Sequence, residues 1–275
     1  MKKFMKKFGL LLTVVAIATT SVLALTACNN DTATGNKLVI ATEAKFDPFE
    51  YIDKNGNYTG FDIELIDLLA KKMGYDGVVI KDMEFDAVLG AVSSGNADAA
   101  IAGLTINATR KKAVDFTDAY YDDSAQWILT KADDTVFTGT TKEELDAQLV
   151  GKTIGVAKGQ TGYYYVTGAK DGDWDFPGIK DADVKEYQDI PSAVLALKNN
   201  IVECVLADNA VAEEIVAKHS DIKAIKVALT VEAYGIAVKK GNTELANKFN
   251  VALKEAKADG SYDKLYAEYF DNKGA

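Results

Sequence analysis

Residues 97–110 read ADAAIAGLTINATR, and this stretch decides the fold class. Its apolar part, Ala97–Leu104, predicts a buried strand, because it is short, continuous and preceded by an amphipathic helical pattern that ends at Gly95. A second block of the chain repeats the same order, with a helical pattern followed by the apolar run Val202–Ala207. The repeated step from helix to buried strand predicts an α/β protein with two similar lobes.

The same alternation continues along the chain in both directions. The strand-like runs are Leu38–Thr42, Ala97–Leu104, Gln126–Lys131, Thr153–Ala157, Asp183–Tyr187, Val202–Ala207 and Ala233–Lys239. Helical patterns lie between them: Pro191 begins one, and residues 243–258 and 261–270 close the chain as two more. Strands separated by helices favour largely parallel sheets.

Composition and charge limit the possible functions. The chain has 275 residues, 48% hydrophobic and 26% charged, which suits one large or two modest globular domains. A formal net charge of −10, without a basic cluster after the N-terminus, argues against a nucleic acid partner. With two cysteines, no CxxC pair and one histidine, the sequence predicts no metal site and implies no cofactor.

The N-terminal segment carries export signals and is not part of the predicted fold. Met1–Lys7 contains four lysines and precedes the apolar run Phe8–Leu25, as in a secretory signal peptide. The run ends in Leu25-Thr26-Ala27-Cys28, which resembles the cleavage site of a bacterial lipoprotein. The resemblance implies removal of residues 1–27, a lipid such as palmitate on Cys28 and a flexible tether over 28–36. The alternative is a plain transmembrane anchor, although the run is short for a span of ~20 residues.

Arg110 is the most informative charged residue. It is the only arginine among 31 cationic side chains. Only arginine offers a planar fork that grips a carboxylate through two parallel hydrogen bonds. Arg110 also follows a predicted strand and the polar turn Thr105–Thr109, and ligands of open α/β sheets bind at the carboxyl ends of strands. The sequence therefore leaves two alternatives, a carboxylate-binding Arg110 and an ordinary surface arginine.

Five motifs occur in one order along the chain. They read ATEAKFDPFEY from Ala41, GFDIEL from Gly60, DMEF from Asp82, AAIAGLT from Ala99 and RKKAVDFT from Arg110. This series resembles the polar amino-acid-binding proteins of ABC importers, solute-binding protein family 3, over residues 37–275.

The resemblance implies a two-lobed periplasmic-binding-protein fold of the type II kind. Two crossing hinge strands, Gln126–Lys131 and Ala233–Lys239, would join the lobes, with the ligand buried between them. Lobe 1 would comprise 37–128 plus 234–275, and lobe 2 would comprise 129–233.

The resemblance also implies a site for the α-carboxylate of the ligand. Arg110 matches the arginine that clamps this group. Thr105 matches a residue whose hydroxyl and N–H assist it, and Thr161 matches a backbone N–H donor from the second lobe. Gly103 matches a backbone contact, and Ala102 lies beside it.

The remaining predicted contacts hold the rest of the ligand. Asp208 matches the acid that binds the α-ammonium, and Phe46 and Phe85 match aromatics that sandwich the side chain. Glu43 stands where many relatives have an aspartate that contacts the distal end. Read singly, the phenylalanines could be core residues, and Asp208 could cap the helix that starts at Asn209.

These expectations combine into a predicted function. The protein would be an extracytoplasmic, membrane-tethered receptor, and not an enzyme, that delivers a free polar L-amino acid to the permease of an ABC transporter. Glutamine or a basic amino acid is favoured, because a buried Glu43 needs a donor on the ligand. The protein is expected to be a monomer on the outer face of the cell membrane. The alternatives are a secreted cyclohexadienyl dehydratase-like enzyme with Glu43 as the acid, and a ligand-sensing domain.

Overall fold

Two five-stranded sheets form the framework of the protein. The computed structural model describes residues 35–172 and 174–271, all within one compact unit. The strands of the first sheet, in spatial order, are β5 (Val78–Asp82), β1 (Leu38–Thr42), β6 (Ala99–Ala100), β15 (Glu232–Lys239) and β7 (Val114–Ser124). Those of the second are β12 (Asp183–Tyr187), β9 (Thr153–Ala157), β13 (Cys204–Asp208), β8 (Gln126–Lys131) and β14 (Ile222–Ile225). We call the part built on the first sheet lobe 1 and the part built on the second sheet lobe 2.

Helices and two small sheets surround this framework. The helices are α1 (Phe61–Lys72), α2 (Phe85–Ser94), α3 (Ala108–Ala113), α4 (Lys142–Leu149), α5 (Thr161–Thr167), α6 (Ile190–Lys198), α7 (Asn209–Lys218), α8 (Thr243–Ala258) and α9 (Ser261–Tyr266), followed by a π-helical turn at Ala267–Asp271. The small sheets contain β2 (Lys45–Phe46), β3 (Glu50–Ile52) and β4 (Tyr58–Thr59), and the hairpin β10 (Ala169–Asp171) and β11 (Trp174–Phe176). Within the described ranges, no helix combines the length and the apolar character that crossing a membrane requires.

The strand directions place several strand ends on one edge of each sheet. In lobe 1, β1 pairs in parallel with β5 and β6, and in lobe 2, β9 pairs in parallel with β12 and β13. Parallel neighbours need a crossover connection, which the intervening helices provide. The strands β15 and β8 run antiparallel to their neighbours. The predicted α/β fold class is confirmed.

The chain changes sheets at two short segments. The strand β7 ends at Ser124 in the first sheet, and β8 begins at Gln126 in the second. The chain returns between Ile225 at the end of β14 and Glu232 at the start of β15. The predicted hinge strands are thus β8 and β15, each of which follows a crossing. The residue limits predicted for the lobes stay a prediction.

The strand predicted at Ala97–Leu104 is shorter in the structure. Only Ala99–Ala100 pairs as a strand, and the backbone turns at Gly103, where φ is +52°. A side chain at position 103 would be strained by this φ, and its Cβ would lie only 2.7 Å from Cε1 of Phe46. Beyond the turn, Thr105 forms a single antiparallel bridge with Tyr234 of β15, so the segment stays on the first sheet and leads to the site described below.

Candidate functional site

The predicted site residues gather at the carboxyl ends of parallel strands from both sheets. Glu43 follows β1, and Thr105 lies five residues beyond β6. Thr161 begins the helix after β9, and Asp208 is the last residue of β13. All four side chains are buried. This edge is where open α/β sheets bind ligands.

Arg110 is a buried cation whose guanidinium donates to backbone carbonyl oxygens. Its side chain is only 7% exposed, so the interpretation as a surface arginine is wrong. Nη1 donates to the carbonyl oxygen of Thr105 at 2.9 Å, and Nη2 donates across the lobes to that of Gly159 at 3.2 Å. No carboxylate of the described residues forms an ion pair with the guanidinium. Burial lowers the pKa of Arg110 because desolvation disfavours the charged guanidinium. An anion beside the guanidinium would offset this cost.

A local cap holds Arg110 in place. Asn107 is the N-cap residue of α3, and its Oδ1 accepts the N–H of Arg110 at 2.8 Å. Asn107 is itself almost fully buried, with 1% of its surface exposed. The polar turn that the sequence indicated before Arg110 is therefore the start of a short helix that positions its third residue.

Thr105 and Thr161 meet across the lobes. Their Oγ1 atoms lie 3.2 Å apart, and both hydroxyls donate to Oε2 of Glu232, at 2.8 and 2.5 Å respectively. In residues 35–172 and 174–271, neither backbone N–H has a hydrogen-bond partner. Both hydroxyls thus donate to Glu232 in this structure, and the predicted contacts of Thr105 and Thr161 with a ligand carboxylate stay predictions.

Asp208 is held by side chains and not by the helix that follows it. Its Oδ1 accepts hydrogen bonds from Oγ of Ser124 at 3.0 Å and from the hydroxyl of Tyr234. Asp208 occupies the N-cap position of α7, but its side chain makes no capping hydrogen bond. Burial, followed by the charge of Glu232, raises the pKa of Asp208 to about 7. A cationic group beside this carboxylate would favour its ionised form.

The two predicted aromatic residues contact other site residues. The ring centroid of Phe85 lies 5.2 Å from Cζ of Arg110. Phe46 packs on Gly103 and stacks on Phe49 with 5.6 Å between the ring centroids. Both rings also belong to buried apolar clusters, and Ala102 joins the cluster that contains Phe85. They therefore serve as core residues and border the polar groups as well.

Glu43 is a buried carboxyl group with an unsatisfied oxygen. It is 1% exposed, and its Oε1 has no hydrogen-bond partner in the described part of the chain. Burial raises the pKa of Glu43 to about 8, although the charge of Lys45 lowers it. The negative charges of Asp189 and Glu84 add to the rise. The net rise means that Glu43 carries a proton at neutral pH even with the charge of Lys45 nearby.

Asp62 supports the turn at Gly103, a role that the sequence did not reveal. Its Oδ2 accepts the N–H of Gly103 at 3.0 Å and the hydroxyl of Tyr120 at 2.6 Å. Burial and the charge of Asp62 raise the pKa of Glu50 well above its ordinary value, and neither carboxyl oxygen of Glu50 has a hydrogen-bond partner in the described part of the chain. Both acids lie in the quoted motifs, but only the fold brings them together.

Glu232 was also missed, because nothing in its local sequence separates it from the other 40 of the 41 acidic residues. It is one of several acidic residues that the fold buries. Arg110 is the one buried cation of the described residues, whereas the buried acids are Glu43, Glu50, Asp62, Asp189, Asp208 and Glu232. This imbalance favours a ligand that brings positive charge.

Cys28, the predicted lipidation site, lies outside the described residues.

The sequence is similar to those of known binding proteins. A family model described as bacterial extracellular solute-binding proteins, family 3, matches residues 38–272. The chain is 30% identical over 273 residues to a probable histidine-binding protein of Neisseria gonorrhoeae, covering 95% of this chain and 96% of the relative. It is 33% identical to the arginine-binding extracellular protein ArtP of Bacillus subtilis (strain 168), covering 97% and 98%.

Solved structures agree with the fold. An ancestral arginine-binding protein bound to arginine is 40% identical, with a TM-score of 0.74 and coverage of 86% of this chain and 99% of that chain. The ancestral amino acid-binding protein AncCDT-1, a precursor of cyclohexadienyl dehydratase, is 31% identical, with a TM-score of 0.74 and coverage of 86% and 96%.

Proposed function

The chain belongs to the bacterial extracellular solute-binding proteins, family 3, and from this premise we propose that it is the receptor of an ABC importer. It binds a free polar L-amino acid, glutamine or a basic one, outside the membrane and delivers it to the permease. The observation that carries the proposal is the buried guanidinium of Arg110, whose partners among the described residues are carbonyl oxygens. A buried charge needs a counter-charge, and the α-carboxylate of an amino acid supplies one.

The main-chain groups of the ligand find complementary partners. The α-carboxylate lies against Arg110 and accepts hydrogen bonds from the N–H groups of Thr105 and Thr161. The α-ammonium faces Asp208, whose pKa of about 7 means that a nearby cation readily ionises it. Each charge of the zwitterion is thereby paired in a buried site.

The side chain of the ligand extends between Phe46 and Phe85 towards Glu43. A guanidinium, ammonium or imidazolium would ionise Glu43 and pair with it, and an amide would donate to its unsatisfied oxygen. The excess of buried acids supports a basic amino acid over glutamate or aspartate. The names of two relatives, an arginine-binding and a probable histidine-binding protein, point the same way.

Lobe closure is how such a ligand would signal its presence to a permease. Arg110 and Thr105 belong to lobe 1, and Gly159 and Thr161 belong to lobe 2. A ligand that binds groups of both lobes favours the closed arrangement by its differential contacts.

Titration calorimetry tests the proposal. Residues 29–275 contain the compact unit Thr34–Ala275, so this fragment can be titrated with each common amino acid, cystine and ornithine. We expect binding of glutamine or of at least one of arginine, lysine, histidine and ornithine. Binding of glutamate alone, or of no amino acid, would contradict the proposal.

The lipid tether is a separate part of the proposal, based on the sequence around Cys28. Cys28→Ser removes the sulfur that would carry the diacylglycerol, so we expect release from the membrane or an uncleaved precursor. Two long acyl chains anchor stably where one does not, so the difference in a membrane fraction should be clear. Normal processing with unchanged membrane retention would argue against lipidation.

Glu43 gives the enzyme alternative one specific basis. A carboxyl group with a pKa of about 8 is protonated at neutral pH and can act as a general acid. One solved structure similar to this chain is that of a precursor of cyclohexadienyl dehydratase. Incubation with prephenate and arogenate separates the two functions, because a receptor returns its ligand unchanged.

A further inference from the structure

Glu232 is the meeting point of four hydrogen bonds at the start of β15. Its Oε2 accepts from the hydroxyls of Thr161 at 2.5 Å and Thr105 at 2.8 Å. Its Oε1 accepts from the hydroxyl of Thr230 at 2.8 Å and from Nε2 of Gln126 at 3.2 Å. The side chain is 4% exposed, so these contacts replace solvent.

The two hydroxyls on Oε2 come from different lobes. Thr105 follows β6 in lobe 1, and Thr161 begins α5 in lobe 2. Glu232 itself lies where the chain returns from the second sheet to the first. A threonine hydroxyl has one proton, so each hydroxyl that donates to Glu232 has none left for another acceptor.

We propose that Glu232 is a positioning residue of the ligand site: by accepting both hydroxyls at once, it fixes the backbone N–H groups of Thr105 and Thr161, one from each lobe, where they receive the α-carboxylate. The inference rests on the proposed function. Glu232 acts through the two threonines and does not contact the ligand itself.

The charge of Glu232 contributes a second effect. It opposes the fall in the pKa of Arg110 that burial causes, so it stabilises the guanidinium while no ligand carboxylate is bound. Glutamine removes the charge and keeps one oxygen that can accept both hydroxyls, while its NH2 group takes the place of Oε1, so only the contacts with Thr230 and Gln126 must rearrange.

Affinity measurements on three single variants of residues 29–275 test the inference. Glu232→Ala removes the common acceptor, and we expect a loss of at least about tenfold for the best-binding amino acid. Glu232→Gln should keep most of the affinity. Thr161→Val keeps the shape and the N–H but breaks the contact from the side of lobe 2, so its loss should resemble that of Glu232→Ala.

Thr230→Val is the matched control. It makes the same chemical change and removes the hydrogen bond to Oε1 of Glu232, away from the two threonines, together with the one that Thr230 accepts from the N–H of Gln126 at 2.8 Å. We expect lower thermal stability with nearly unchanged affinity. In the double variant Glu232→Ala/Thr161→Val, the two losses should not add, because both act through one contact.

Small-angle X-ray scattering without ligand supplies a readout that does not depend on binding. Loss of the cross-lobe contact in Glu232→Ala should increase the radius of gyration, whereas Glu232→Gln and Thr230→Val should leave it unchanged.

If the wild type binds an amino acid and Glu232→Ala binds it equally well with an unchanged radius, the inference is overturned. If the wild type binds no amino acid, the proposed function fails, and scattering still decides whether Glu232 joins the lobes. Should Glu232→Ala not fold, a Thr161→Val variant with wild-type affinity overturns the inference.

Discussion

At the scale of single residues, the proposed binding of a carboxylate by Arg110 depends on the shape of its side chain as much as on its charge. Its two terminal nitrogens donate to carbonyl oxygens of Thr105 and Gly159, which lie in different lobes. Lysine keeps the charge but lacks the planar fork. We expect Arg110→Lys to weaken amino-acid binding by about 2–4 kcal/mol in titration calorimetry, with little change in melting temperature without ligand.

The neighbouring Lys111 gives the control for this variant. Lys111 is exposed on the same helix, so Lys111→Ala removes one cation without touching the site. Its affinity should equal that of the wild type. Wild-type affinity in Arg110→Lys as well would mean that Arg110 does not clamp the ligand.

Glu43 makes a pH-dependent prediction. Burial raises its pKa from 4.5 to about 8, so the folded protein holds this proton more tightly than the unfolded chain does. Stability of the ligand-free protein therefore contains a contribution that is complete below pH 4.5 and is lost as the pH rises towards 8. Thermal melts of Glu43→Gln should show a shallower decline with pH over this window than the wild type.

The same group makes the binding of a basic ligand depend on pH. A cation pairs with ionised Glu43, so the affinity for arginine should rise between pH 4.5 and 8. The ratio of the arginine affinity to the glutamine affinity should increase by up to about tenfold per pH unit. Asp208 ionises when either ligand binds, because both ligands carry an α-ammonium. The difference in pH dependence between the two affinities therefore reports on Glu43 alone. Calorimetry in buffers of different ionisation enthalpy measures the released proton, and identical slopes for both ligands would refute this role of Glu43.

At the scale of secondary-structure elements, the short helix α3 depends on its cap. Asn107→Ala removes the acceptor for the N–H of Arg110 and leaves a buried donor unsatisfied. We expect a loss of about 1 kcal/mol in the free energy of unfolding and a clear loss of ligand affinity, because the guanidinium is no longer held in place.

Thr141→Ala is the matched control for the cap. Thr141 caps α4 in lobe 2 by accepting the N–H of Glu144 at 3.3 Å. This variant should lose similar stability in chemical denaturation and keep its affinity. Equal losses of affinity in both variants would show that the effect of Asn107 is general destabilisation.

At the scale of the whole molecule, ion pairs at the edge of the site connect the lobes. These pairs are Lys45–Asp189 at 3.1 Å, Lys158–Asp86 at 2.6 Å and Lys218–Asp47. Screening shortens the Debye length from about 10 Å at 0.1 M to about 3 Å at 1 M salt. Because these pairs are partly exposed, we expect the ligand-free protein to open in high salt, seen as a larger radius of gyration in scattering.

Charge removal should have the same effect as salt. Asp47→Asn/Asp86→Asn leaves two lysines of lobe 2 without their partners in lobe 1, so this variant should be open already at low salt. Asp67→Asn, which breaks a pair with Lys71 inside α1, should behave as the wild type. A radius that responds to neither salt nor the double variant would show that these pairs do not hold the lobes.

The sequence by itself determined the elements whose signals are local. The bounds of β1, β8, β9, β12 and α8 agree with the predicted runs, because continuous apolar runs and helical periodicity arise from neighbouring residues. The same reasoning missed β7, Val114–Ser124, because this strand lies at the edge of its sheet and carries polar residues along its exposed side. Arg110 could be selected from sequence because it is the only arginine.

Only the tertiary structure decided which polar groups face one another. Asp62 supports the backbone N–H of Gly103, 41 residues away, and Glu232 accepts the hydroxyl of Thr105, 127 residues away. The raised pKa of Glu43 likewise results from burial between segments that are distant in the sequence. Hydrogen bonds and desolvation act through space, so they appear only when the two sheets and the crossings between them are in place.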